Sequence, residues 1–316
     1  MPHTSRKRKV TPYRKRQEET SEDGWTRVTR TDVRAKSNGL TQVTESYKIP
    51  AEDLSLSVAK LTTRFVNCLN QWTTTEARQK LHTAIENGLR RNGSGKVQDC
   101  ITTAALMALG SLSRTNLELT TKSMWQLVVF IDVVRLREYL DLSISTFPYA
   151  STLPILLIYD RKQCTKSSSV NGDREPQDHI KLFAQDPNFT QLDKDFLRQY
   201  FQFEILEPPQ ILGLVHNKTF LYVPHLEWYV EIPYREHAIA CPLYFTTPMD
   251  WVIDAAERSI VNCEGHGNKG DPQRGLDGAK AIKQNFEKYD FPELEYSDAM
   301  SGVVIYVRQS DEEQHD

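Results

Sequence analysis

Long apolar runs are missing from this 316-residue chain. None approaches the roughly 18 to 20 residues that a membrane-spanning helix needs, and the longest, such as Leu153 to Tyr159, has strand length. No membrane partner is expected. Cysteine is scarce: Cys68, Cys100, Cys164, Cys241 and Cys263 are odd in number and mostly far apart, which argues against a disulfide framework and for reduced, intracellular thiols. The charged N-terminal stretch has no apolar core behind it, so no secretory signal is expected. Also lacking are a G-x-G-x-x-G turn, a phosphate loop ending in G-K-[ST], a Gly-x-Ser-x-Gly elbow and a convincing Cys-His nucleophile pair.

Charge is present in quantity but unevenly. The 39 Lys and Arg against 42 Asp and Glu give a formal charge of −3 that averages two unlike parts. Arg6, Lys7, Arg8, Lys9, Arg14, Lys15 and Arg16 make the first 16 residues +7, which leaves −10 for the other 300. A net-acidic body disfavours direct nucleic-acid binding, since counterion release needs a basic face. The basic cluster has the form of a nuclear import signal, with an import receptor as partner and a nuclear and cytoplasmic location. Residues 1–50 carry few periodic apolar positions and read as a disordered basic arm.

From Asp53 onward Leu54, Val58, Leu61, Phe65, Leu69 and Trp72 recur at helical steps, and Glu76 to Arg91 repeats the pattern with Leu81, Ile85 and Leu89. Residues 51–93 are thus a helical preface. A domain over 94–309 follows. Ala104 to Leu109 reads as a strand that stops at Gly110-Ser111-Leu112-Ser113, and Met124 to Leu140 as a helix. Leu153 to Tyr159 reads as a buried parallel strand ending at Asp160. Leu192 to Phe201 is a helix, and Phe203 to Leu206 and Thr219 to Val223 are strands. Leu243 to Phe245 is a further strand, and Thr247-Pro248-Met249-Asp250 opens a helix through Trp251, Ala255, Ala256 and Ile260. Gly302 to Val307 is the final strand. Polar insertions are expected near 162–177 and 262–278, and residues 310–316 are an acidic tail. Alternating strands and helices predict an α/β, Rossmann-like, mostly parallel doubly wound sheet.

In such a sheet ligands lie beyond the carboxyl ends of the strands. That rule selects Gly110, Ser111, Ser113, Asp160 and Glu207 as candidate cofactor-binding residues, and His225 with Glu227 as candidate catalytic ones. A glycine there lets backbone approach a ligand, and an acid after the second strand can take ribose hydroxyls. On motif strength alone the Gly-Ser-Leu-Ser loop reads first as a tight strand-to-helix turn with Ser capping, and second as a ligand loop. His237, Cys241, Cys263 and His266 form H-x3-C and C-x2-H pairs, the donor set of a zinc tetrahedron, with nothing in the spacing to bring the halves together.

Three segments then stand out in order: Ala108-Leu109-Gly110-Ser111-Leu112-Ser113, Ile158-Tyr159-Asp160, and Thr219-Phe220-Leu221-Tyr222-Val223-Pro224-His225. With Asp23-Gly24-Trp25-Thr26-Arg27-Val28 before them and Ala299-Met300-Ser301-Gly302-Val303-Val304-Ile305-Tyr306-Val307-Arg308 after, the chain resembles a fungal form of the family called Sensitivity to Red Light Reduced. Leu226 stands where a cysteine often follows Pro-His in that family, and the Gly-Asn-Ser-Phe-like strand end is not evident around Pro242 to Thr247. The resemblance implies regulation linked to circadian timing, light signalling and heme synthesis, through protein partners or a small ligand. It brings no defined reaction or cofactor. The alternatives are an enzyme using a nucleotide or S-adenosylmethionine, and a heme or metal sensor using His225 or the His/Cys set.

Overall fold

The computed structural model describes residues 15–20, 26–31, 49–91, 101–141, 179–227, 229–261, 271–294 and 297–309. The chain divides into two units, Met1–Pro50 and Ala51–Asp316. In the first, strands β1 (Lys15–Thr20) and β2 (Thr26–Thr31) pair antiparallel, Lys15 opposite Thr31 and Thr20 opposite Thr26. These two strands lie within the stretch expected to be a disordered arm. Thr20, Thr26, Val28, Thr29 and Thr31 are β-branched, and Asp23-Gly24 between the strands is a turn-forming pair, so strand propensity acts where apolar content is low. Arg6 to Lys9 and Arg14 lie outside the described residues; Lys15 and Arg16 open β1.

The second unit begins with the two expected helices. In α1 (Val58–Thr73) the Ser57 side chain accepts from the Lys60 N–H as N-cap, and the stripe Leu61, Phe65, Leu69 and Trp72 is buried. Leu54 precedes the helix and is exposed. Helix α2 (Glu76–Arg91) has the bounds its periodicity predicts. At Gly88 an added Cβ would sit 2.9 Å from Val307 Cγ2, so glycine is what lets this helix close on the sheet's antiparallel end.

Then come β3 (Thr103–Met107), α3 (Leu117–Asp141), β4 (Lys181–Gln185), α4 (Gln191–Phe201) and β5 (Glu204–Ile205). A 3₁₀ turn (Gln210–Leu214) leads to β6 (Thr219–Tyr222), α5 (Ile232–Ala238), β7 (Leu243–Thr246), α6 (Met249–Val261), α7 (Pro272–Asn285), β8 (Phe286–Asp290) and β9 (Val304–Arg308). Among the described residues seven strands form one sheet in the order β5-β4-β3-β6-β7-β9-β8. The first five are parallel, and β9 is antiparallel to both its neighbours. Successive strand residues face opposite layers. Leu106, Leu182, Phe220, Phe245 and Ile305 pack with α1 to α4, whereas Met107, Phe183, Leu221, Tyr244 and Tyr306 pack with the 3₁₀ turn and α5 to α7. The sheet is therefore covered on both faces, as a parallel sheet of apolar strands requires.

Several elements were not legible. β4, α5 and β8 fall in stretches of mixed polarity. Residues 271–278, expected as the end of a Gly-rich loop, instead open α7: the Asp271 side chain caps the Gln273 N–H, Pro272 takes the first helical position, and Gly275 and Gly278 are buried on its inner face. The expected strand Leu153 to Tyr159, the 162–177 insertion and the 310–316 tail lie outside the described residues.

Candidate functional site

The chain runs from β3 outward through β4 to β5, then returns past β3 to place β6 and β7 on its other side. The helices change face at the same point, α3 and α4 on one side of the sheet and α5 on the other. Connections that leave β3 and β6 in opposite directions open a crevice at the carboxyl ends of these two strands, the topological switch point.

On the β3 side the crevice is bounded by residues 108–113. Ala108 has φ 54° and Gly110 φ 75°, left-handed conformations that turn the chain sharply off the strand. A Cβ on Gly110 would lie 2.9 Å from Ser123 Oγ, which is itself held by donating to the Leu109 carbonyl at 2.6 Å. The Gly110 N–H donates to Asp186 Oδ2 at 2.7 Å, and the Asn188 N–H donates to Asp186 Oδ1 at 2.7 Å. Burial pushes the Asp186 carboxyl up, the amides of Asn188 and Gly110 pull it back, and the charge of Asp193 raises it further; the outcome is a raised pKa.

Asp186 is the residue that sequence reasoning missed. Both edges of β3 are occupied, by β4 and β6, so the acid beside Gly110 is the one that follows β4. Asp160 lies outside the described residues. The signal was short: Ile180 and Leu182 to Ala184, stopping at Gln185-Asp186, beside the longer apolar run at 153–159.

Ser111 and Ser113 face inward. Ser111 Oγ donates to Asp193 Oδ2 at 2.6 Å, Ser113 Oγ shares a 2.6 Å bond with Thr190 Oγ1, and the Leu112 N–H donates to Asp193 Oδ1 at 3.2 Å. Thr190 and Asp193 are also the two halves of the capping box that starts α4. One buried carboxylate thus serves both the helix start and the loop. Glu207 sits beyond the edge strand β5, exposed, 3.4 Å from Lys194 Nζ, and does not join Gly110 and Asp186.

Across the switch point Val223-Pro224-His225 leaves β6. His225 is exposed, and its Nε2 donates to the Ala299 carbonyl at 2.9 Å; Gln126 Nε2 of α3 donates to the same carbonyl at 3.0 Å. Tyr222 O–H reaches the Gln126 carbonyl at 3.1 Å and Met300 Sδ at 3.2 Å. The segment 299–300 therefore clamps the end of β6 to α3 at Gln126. Glu227 is exposed in the next turn, where its carbonyl accepts the Val230 and Glu231 N–H groups.

The His/Cys set does not assemble among the described residues. His237 is exposed on α5. Cys241 is fully buried, where burial, opposed by Arg308, raises its thiol to about 12, so it is not a ready thiolate ligand. No group of three or more His, Cys, Asp or Glu able to hold a metal occurs among the described residues, and Cys263 and His266 lie outside them. No helix among the described residues is long and apolar enough to cross a membrane.

The SRR1 domain family model matches residues 85–232. That stretch takes in Gly110, Asp186, Asp193 and His225, and so both walls of the switch-point crevice. No curated protein and no solved structure matches the chain.

Proposed function

We propose that this chain, which carries an SRR1 domain over residues 85–232, is a regulatory protein whose domain binds a small nucleoside-bearing ligand and passes its occupancy on to protein partners. The observation that carries the reading is the strand order. Counted along the chain from β3, the five parallel strands run 3-2-1-4-5, the order that places nucleotides at the carboxyl ends of the two central strands. Gly110 supplies the close backbone turn there. Asp186, at the end of the second strand, stands where a carboxylate takes ribose hydroxyls. The resemblance to a family linked to light, timing and heme regulation supports occupancy as the output, and the basic cluster Arg6 to Arg16 is in this reading the import address of a protein divided between nucleus and cytoplasm.

The test is thermal unfolding of the full chain against a panel of nucleosides, nucleotides and S-adenosyl compounds. A ligand at 100 times its dissociation constant stabilises the folded state by about 2.7 kcal/mol. At least one compound is expected to raise the melting temperature, and Asp186→Asn to remove that shift. A flat response across the panel would sink the proposal.

A further inference from the structure

We infer that the switch-point ligand is a ribonucleoside carrying no phosphate, neutral or cationic beyond its 5′ carbon. The inference rests on the nucleoside reading above and specifies its chemical class. Three amides of the loop after β3 are already paired within the protein. Gly110 N–H donates to Asp186, Leu112 N–H to Asp193, and Ser113 N–H to Ser111 Oγ at 3.2 Å. In a phosphate-binding loop such amides point at the ligand's oxygens. Here two buried carboxyl groups take that part, so the wall presents acceptors where a phosphate would need donors.

The helix that follows is equally unsuited to an anion. A pyrophosphate site needs the helix to start at the glycine turn with its first amides open. α3 starts at Leu117, seven residues beyond Gly110, and Asn116 Oδ1 accepts the Leu119 N–H at 3.2 Å as its own cap. Its first turn carries Glu118, which pairs with Lys122 at 3.1 Å, and Lys122 is also 2.8 Å from Asp298. A phosphate placed there would meet Glu118 and Asp298 around Lys122, which both acids already pair with, and would find the Leu119 and Thr120 amides taken by Asn116. A ribose diol gains from Asp186, the carboxyl beside Gly110, since hydroxyls donate to it, and a positively charged substituent gains from its charge, whereas Asp193 is fully enclosed and serves Ser111, Leu112 and Thr190.

The architecture agrees. A dinucleotide site is built from two complete mononucleotide halves. In this sheet β3-β4-β5 form one such half, but in the other β9 is inserted in reverse between β7 and β8. One nucleoside fits the intact half.

The experiment is isothermal titration of the full chain with the four ribonucleosides, S-adenosylmethionine and S-adenosylhomocysteine, set against ATP, GTP and NAD. At least one phosphate-free compound is expected to bind roughly tenfold or more tightly than any phosphate-bearing one. Its 2′- or 3′-deoxy analogue is expected to lose about tenfold, the loss of one hydrogen bond to a charged group. A nucleotide or dinucleotide binding as tightly or more tightly overturns this inference and leaves the nucleoside reading standing. Equal affinity for the deoxy analogues overturns the ribose contact. Binding by none of the compounds overturns both inference and reading.

Discussion

Glu231 shows how much one buried side chain can organise. It is fully buried where the loop from β6 enters α5, accepts from the hydroxyls of Tyr244 and Thr246, and pairs with Arg235 NH2 at 2.9 Å. Burial, and next the charge of Glu231, pushes the Tyr244 phenol well up, so the hydroxyl stays protonated and donates. Arg235 Nε and its other terminal nitrogen have no hydrogen-bond partner among the described residues, which makes the pair an imperfect one. Glu231→Gln leaves the guanidinium buried and unpaired, and is expected to cost about 3–5 kcal/mol in urea unfolding. Adding Arg235→Met removes the orphaned charge and should restore part of that loss; a double variant less stable than the single one would contradict the account. At Gly110 the demand is conformational. Gly110→Ala meets both the 75° φ and Ser123 Oγ, and is expected to lose more than about 1 kcal/mol, seen as a melting temperature lower by several degrees.

At the scale of elements, the start of α4 and the loop after β3 are one unit joined through Asp193. Its carboxylate accepts from Ser111 Oγ, the Leu112 N–H and the Thr190 N–H. Asp193→Ala removes half the capping box and two loop bonds together, at an expected cost of at least about 2 kcal/mol. Amide exchange distinguishes this from a plain helix-cap loss: residues 109–116 should exchange faster along with the first turn of α4. Protection lost in α4 alone would argue against the coupling. Such couplings explain what the sequence concealed. Helices α1 and α2 and strand β6 were legible because their own apolar patterns decide them. Strand β4 was not, because Lys181-Leu182-Phe183-Ala184-Gln185 becomes a strand through pairing with β3, and α7 was not, because its glycines look like loop residues until the surface they pack on is known.

At the scale of the whole unit, Asp132 ties the helical preface to the sheet domain. This residue of α3 is buried, and accepts from Trp72 Nε1 at 2.9 Å, Arg78 Nε at 3.0 Å and His82 Nε2 at 2.6 Å, which lie on α1 and α2. Burial raises its pKa, but His82 and Arg78 outweigh that and bring it from 3.8 to about 2. A carboxyl depressed on folding contributes stability that is fully present above the unfolded value and is lost as pH falls through the folded one. Its contribution, about 2 kcal/mol on this shift, is therefore present above pH about 4 and gone near pH 2. Denaturant unfolding of the native chain and Asp132→Asn should differ by roughly this amount at pH 6 and converge toward pH 2; a constant difference would refute the assignment.

The sequence by itself determined the class of fold, the helical pair, and Gly110 and His225 as residues at strand ends, because each rests on a local pattern: periodicity, a turn residue, an apolar run that stops. It could also expect an acid beside the Gly110 turn, but not choose which one. That choice depended on which strand lies beside β3, a long-range pairing with no local signature, and the tertiary structure gave it to Asp186. Tertiary structure alone also decided the role of the serines. Their hydroxyls are equally able to hold a ligand or a neighbouring helix, and only the arrival of Asp193 and Thr190 from α4 turned them inward.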